Sequence, residues 1–266
     1  MFPAIHFVTY HTSNEKSKYL YDSAAFHKIE IKNLARSDHW VGLRDKLIGL
    51  RDFVTTLPSD DIVCFLDAYD GIVNASKDEF MTKFLETKTE IIFGAEINLH
   101  PDSLHSLAYP ESSTAMRYLN SGFYIGYVRA LQKFVGNKRF EEFDKDYNDQ
   151  EYFNRYYIEN YQKENIKLDT QCDFVINMNK VPWNSLQTHS GLVHTTFQDL
   201  NKRPLFIHFN GMSYLDVDKD CVRNGNTVSF NYHQMYHRTF FAIINSKILT
   251  SRCDVVCLLT GRGMTY

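Results

Sequence analysis

The stretch Ile62-Val63-Cys64-Phe65-Leu66-Asp67-Ala68-Tyr69-Asp70 decides how this chain folds. Its five opening apolar residues, with Ile62 and Val63 β-branched and Phe65 aromatic, have the length and composition of a buried strand and are too few for a buried helix. Asp67 and Asp70 follow at once. In an open α/β sheet, ligands gather beyond the carboxyl ends of the strands, which is where these two carboxylates emerge. They can converge on one hard cation such as Mn²⁺ or Mg²⁺, which prefers oxygen ligands, or they can merely cap a turn.

Working outward, short apolar runs alternate with helix-like segments, the pattern of strands wrapped by helices around a mostly parallel sheet. The expected strands are Ile5 to Tyr10, Ile62 to Leu66, Ile91 to Ala95, Gly122 to Val128 and Leu205 to Phe209. Arg44 to Thr56 sets Leu47, Leu50 and Val54 at helical spacing, and Lys77 to Glu86 does the same with Phe80, Met81 and Phe84. Asp149 to Tyr161 is a third helical pattern, with Asp149 suited to N-capping and a Tyr/Phe stripe that reads as core. Asn98 to Ser113, with Pro101 and Pro110, reads as a long loop of the kind that carries function or is a tolerated insertion.

With 266 residues, the chain suits one large α/β domain. The expected boundaries are a main domain over 1–217 and a C-terminal extension over 218–266, packed on the domain or used for homo-oligomer formation. Hydrophobic residues at 44% and charged residues at 23% exclude a disordered chain. A net charge of −3 without a basic stripe argues against nucleic acid as the main partner. No apolar span reaches the roughly 18 residues of a membrane helix, and Met1 to His11 lacks the basic-then-apolar build of a secretory signal. The expected compartment is the cytoplasm, that of a host cell if the source is viral, ahead of the endoplasmic reticulum lumen. Five scattered cysteines suggest reduced thiols, and a lone sequon at Asn74 matters only in a secretory compartment. His233 with His237 and Cys253 with Cys257, each pair four apart, could form a zinc set, although Tyr232, Met235 and Tyr236 suggest an ordinary aromatic helix.

Three further elements surround the aspartates in sequence. Pro204 to Gly211 is an apolar strand ending in His208, Asn210 and Gly211; the imidazole could add a nitrogen to an oxygen-rich metal site, and Gly211 permits close approach to a phosphate. Asn120 and Ser121 precede Gly122 and a strand, a sharp polar turn beside a substrate. Asp149 and Gln150 open a helix whose N-terminus favours anionic or hydroxyl ligands.

Taken in order, these elements resemble the glycosyltransferase domain of the multifunctional procollagen lysyl hydroxylases and, more distantly, the collagen galactosyltransferases. The likeness runs from about Ile5 to Tyr214. It implies a GT-A fold, an α/β architecture with a Rossmann-like, mostly parallel sheet flanked by helices. It also implies that Asp67, Asp70 and His208 hold a divalent metal, Mn²⁺ or Mg²⁺. Tyr69 looks placed against uridine or ribose, Thr9 against uracil and Lys46 beside the nucleotide. Asn210 and Gly211 would follow the diphosphate. Glu96 would lie near the donor sugar, with Asn120, Asp149 and Gln150 lining the sugar and acceptor side.

The sequence departs from that family in places. Leu99, His100 and Pro101 stand where the family usually has Cys-Trp-Pro, so an aromatic platform is missing or replaced by His100. A poly-Asp run is reduced to Asp146, Asn148 and Asp149, and Tyr214 replaces a basic residue. The chain has no room for the iron oxygenase and reads as a stand-alone transferase of viral or microbial type. The expected reaction moves glucose from UDP-glucose to galactosyl-hydroxylysine of a collagen-like polypeptide, with retention. The alternatives are an inverting UDP-galactose:hydroxylysine galactosyltransferase and a non-catalytic carbohydrate- or collagen-binding module. No membrane partner is expected.

Overall fold

The computed structural model describes residues 3–101, 103–189 and 192–211. Tyr214, the 218–266 extension and the His233, His237, Cys253 and Cys257 set lie outside the described residues.

In chain order the elements are β1 (Ile5–Thr9), α1 (Lys18–Phe26), β2 (Ile31–Asn33), α2 (Arg44–Val54), β3 (Ile62–Leu66), β4 (Gly71–Val73), α3 (Lys77–Thr87) and β5 (Ile91–Glu96). There follow β6 (Tyr118–Tyr127), α4 (Val128–Val135), α5 (Asp149–Asn160), β7 (Ile166–Asp169), β8 (Val175–Asn177), β9 (Leu186–His189), β10 (Leu192–Thr195) and β11 (Phe206–His208). The main sheet has the order β2-β1-β3-β6-β5-β7. Only β6 runs against its neighbours, pairing antiparallel with both β3 and β5, so the sheet is mostly parallel. This is the α/β, Rossmann-like architecture that the GT-A resemblance implies. A second, small sheet, β4-β11-β8, stands beside it.

Strand β3 shows why the apolar run had to be a buried strand. Ile62, Cys64 and Leu66 face one core with Leu20 of α1 and Phe80 and Phe84 of α3, while Val63 and Phe65 face another with α2, α4 and α5. Side chains alternate faces along a strand, so one covered on both sides must be apolar throughout. Phe65 stacks on Tyr124 of β6 at 4.9 Å, and Phe153 and Tyr157 of α5 are buried in the same core.

The three expected helices form. Helix α3 opens with a capping box, in which the Ser76 amide and hydroxyl both donate to Glu79 Oε2 at 2.8 and 2.9 Å. Helix α5 differs in its cap: Asn148, not Asp149, accepts the Gln150 amide, which frees Asp149 to point elsewhere. Asn98 to Ser113 is a loop containing a 3₁₀ turn at Ser103–Ala108. The polar residues Asn120 and Ser121 lie inside β6 and not in a turn before it, because Asn120 pairs with side-chain-free Gly94 at a register shift. Among the described residues, no helix is long and apolar enough to cross a membrane.

Candidate metal and donor site

The carboxyl ends of β3, β5, β8 and β11 meet at one place. Asp67 leaves the end of β3, where its amide donates to Gly122 O at 2.9 Å. Asp70 precedes β4, and β4 lies antiparallel to β11 with Gly71 opposite His208. The chain turns through bends at residues 68–70, and Gly71 then packs tightly on β11, where a Cβ would lie 2.0 Å from the Phe206 ring. That turn brings two acids and an imidazole together: ligand atoms of Asp67, Asp70 and His208 all lie within 4.8 Å of one another. His208 Nε2 is 3.1 Å from Asp70 Oδ1. Two carboxylates with one imidazole suit a hard divalent cation with open positions for other oxygens.

Lys46, on the first turn of α2, sets its ammonium 3.3 Å from Asp67 Oδ2 and 3.9 Å from Asp149 Oδ2. Burial works against that charge, but Asp67, Asp149 and Asp70 outweigh it and hold the ammonium above its ordinary pKa. Burial likewise pushes Asp67 up, yet Lys46 and His208 beside it leave the carboxyl below the usual range. Asp149 goes the other way, raised by burial with Lys46 only partly compensating. It also accepts from Ser121 Oγ at 3.3 Å. Gln150 clamps α5 to β6, accepting from the Ser121 amide at 2.7 Å and donating to Leu119 O. Its amide is thus engaged at both ends with backbone.

A second network surrounds Glu96, which is only 3% exposed at the end of β5. Asn120 Nδ2 donates to Oε1 at 2.8 Å and Asn210 Nδ2 to Oε2 at 2.9 Å. Burial raises the Glu96 pKa even against these bonds and the charge of His208. Asn120 Oδ1 accepts from the Gly122 amide at 2.9 Å, so this side chain is engaged at both ends too. Gly211 takes φ +64°, and a Cβ there would sit 3.0 Å from Asn179 Nδ2. A positive φ and a close neighbour together favour glycine.

Tyr69 is half-buried, its hydroxyl accepting from the Thr12 amide at 2.9 Å at the rim of the site. Thr9 is fully buried, its hydroxyl donating to Leu66 O at 2.6 Å, which ties the end of β1 to the end of β3. His100 lies 3.4 Å from the α5 cap residue Asn148, and its carbonyl accepts from Asn154 Nδ2 at 2.7 Å. The loop that carries it is therefore docked on α5.

Sequence reasoning missed two amides. Asn177, the last residue of β8, has its Oδ1 2.7 Å from His208 Nδ1, and the Asn179 amide donates to Asn210 Oδ1 at 3.1 Å. The signal was present in Val175-Ile176-Asn177-Met178-Asn179, an apolar run ending in amides two apart. A groove of about 350 Å³ between Arg117, Tyr157, Tyr161 and Lys167 runs along β7, three strands across the sheet from β3, and contains none of these residues.

Residues 5–225 match the family model described as the PLOD GT domain. The multifunctional procollagen lysine hydroxylase and glycosyltransferase of Caenorhabditis elegans is 32% identical over 228 residues, 79% of this chain and 31% of that protein. Human procollagen-lysine,2-oxoglutarate 5-dioxygenase 1 is 29% identical over 162 residues, 60% of this chain and 22% of that one. The chain thus spans less than a third of these relatives. Among solved structures, apo mouse xyloside xylosyltransferase 1 aligns with a TM-score of 0.49 at 11% identity, covering 79% of this chain and 99% of that one. By the extent of the family match, this chain belongs to the PLOD GT-domain family of glycosyltransferases.

Proposed function

We propose that the protein is a metal-dependent hexosyltransferase that moves glucose from UDP-glucose to galactosyl-hydroxylysine in a collagen-like polypeptide. The observation that carries this reading is the convergence of Asp67, Asp70 and His208 at the carboxyl ends of β3 and β11. Mn²⁺ or Mg²⁺ bound there supplies positive charge to the departing diphosphate, an electrostatic contribution commonly worth several kcal/mol. Lys46 fixes Asp67 and Asp149 in place and keeps their combined charge compatible with an anionic donor. In this reading Tyr69 meets the nucleoside, and Gly211 lets the backbone approach the diphosphate. The buried Glu96, Asn120 and Asn210 network forms a rigid wall on the sugar side.

Asp149 is the acid set to face the acceptor. Its raised pKa favours a second reading, in which it serves as general base for an inverting transfer of galactose to hydroxylysine. Assaying UDP-glucose and UDP-galactose, each with Mn²⁺, against hydroxylysine and galactosyl-hydroxylysine peptides separates the two. The principal reading expects UDP release with UDP-glucose and the galactosylated acceptor, abolished in Asp70→Asn. Full activity in that variant, or no turnover of either donor, overturns it.

A further inference from the structure

Asn177 and His208 sit side by side on the parallel strands β8 and β11, in register with each other, and both are buried. The Asn177 side chain has two neighbours. Its Nδ2 donates to Ala95 O at 2.7 Å, and its Oδ1 is 2.7 Å from His208 Nδ1. A backbone carbonyl can only accept a hydrogen bond, so the amide nitrogen must face Ala95. The amide oxygen must then face His208, and an amide oxygen can only accept. His208 Nδ1 therefore carries a proton in every state in which this contact is kept. A neutral imidazole protonated on Nδ1 has its lone pair on Nε2, the nitrogen that faces Asp70.

We propose that Asn177 is a positioning residue that fixes His208 as the Nδ1–H tautomer and so aims the Nε2 lone pair at the site shared with Asp67 and Asp70. This inference rests on the metal-site reading above and extends it to a residue outside the ligand set. The orientation originates in a backbone group: the Ala95 carbonyl, next to Glu96, sets the amide, and the amide sets the ring. The strand bearing the sugar-side carboxyl is thereby tied to the strand bearing the metal-side imidazole. Partners of this kind outside the ligand set typically alter metal affinity 10- to 100-fold when removed.

Two variants and one spectrum test it. Asn177→Leu keeps a similar volume and removes the acceptor; it should bind Mn²⁺ about 10- to 100-fold more weakly, read from the free-ion signal in electron paramagnetic resonance. Asn177→Asp keeps an acceptor for Nδ1–H but sets a carboxylate oxygen against Ala95 O. It should retain Mn²⁺ affinity within about threefold while melting at a lower temperature, since a repelled buried oxygen costs stability. A purely structural role for Asn177 predicts that affinity and melting temperature fall together in both variants. Equal Mn²⁺ affinity in folded Asn177→Leu and wild type overturns the proposal. Should the leucine variant not fold, the wild-type ring decides: a long-range ¹H–¹⁵N spectrum at alkaline pH should show His208 protonated on Nδ1, and protonation on Nε2 overturns it. If the wild type binds neither Mn²⁺ nor Mg²⁺, the metal reading fails, while that spectrum still tests the tautomer.

Discussion

The His208 imidazole rests directly on the backbone of Gly122: a Cβ built on that glycine would lie 2.1 Å from the His208 Cε1 and 2.7 Å from its Nε2. No carbon approaches a ring so closely, so a side chain at Gly122 must displace the imidazole. Gly122→Ala should therefore shift His208 out of line with Asp67 and Asp70 while the rest of β6 keeps its ladder. The expected outcome is a loss of Mn²⁺ affinity of about tenfold or more with a far-ultraviolet circular dichroism spectrum unchanged from wild type. Wild-type affinity in this variant would show that the ring can move without consequence.

Lys46 is the cation between Asp67 and Asp149, and its removal takes away the counter-charge they share in a buried setting, leaving only the His208 imidazole beside Asp67. Breaking such a pair from one side typically costs about 3–5 kcal/mol. Lys46→Met should lower the melting temperature of the metal-free protein. Added Mn²⁺ should raise it by more than it raises wild type, because the ion then supplies charge that the lysine no longer does. A thermal melt with and without Mn²⁺ checks both parts; an equal Mn²⁺-induced increase in the two proteins counts against this role.

Asp169 lies away from the site, at the end of β7, and its carboxylate accepts the amides of Asp173, Phe174 and Val175 at 2.9, 2.7 and 2.8 Å. Burial pushes its pKa up to about 6 from 3.8. The folded protein thus holds a proton that the unfolded chain has released. The stability this contributes is fully present below about pH 3.8 and is lost as pH rises through about 6. Asp169→Asn turns an NH₂ group toward backbone donors, which should cost about 1–3 kcal/mol at pH 5. Because asparagine does not titrate, the stability gap between variant and wild type should narrow as pH rises to 7, measured by urea unfolding at both values. A gap that stays constant would mean that the carboxylate is ionised throughout.

Asn74, in the sequon Asn74-Ala75-Ser76, is fully buried. Its amide donates to Val193 O at 2.8 Å and Pro204 O at 2.7 Å and accepts from the Val193 amide at 2.9 Å. A glycan on Nδ2 cannot coexist with those bonds. When the chain is expressed through a secretory route, the folded fraction should carry an unmodified Asn74 by mass spectrometry, and any glycosylated fraction should be aggregated. A soluble, folded, glycosylated species would contradict this packing.

How far the residues alone disclosed the molecule depended on length and polarity. Strands β1, β3 and β5 were legible because each is mostly apolar, β3 throughout, and covered on both faces. Strands β4 and β8 hold three residues each, too few for any period to register, so of the small sheet only β11, which carries His208, was legible. The beginning of β6 read as a turn because Asn120 and Ser121 disfavour strands; Glu96 and Gln150 supply the hydrogen bonds that make them acceptable there. Asp67, Asp70 and His208 could be picked out by their positions directly after or at the end of apolar runs. Asn177 and Asn179 end a shorter apolar run and were passed over, since asparagine after a strand is also ordinary turn chemistry. The α5 cap was missed by one residue because Asn148 and Asp149 are both good caps, and only the fold shows that Lys46 and Ser121 draw Asp149 away.

The reversed direction of β6 also bears on how such domains diverge. Because β5 and β6 are antiparallel neighbours, the chain between them returns without a crossover helix, and it leaves and rejoins the sheet on the side where Glu96 and Asn120 lie. Loop-closure cost grows only slowly with added residues. The segment after Glu96 can therefore be lengthened, shortened or rewritten, as at Leu99-His100-Pro101, with little strain on Asp67, which follows β3 two positions across the sheet from β5. Descendants of one scaffold can thus vary this single connection while the cluster of Asp67, Asp70 and His208 stays as it is.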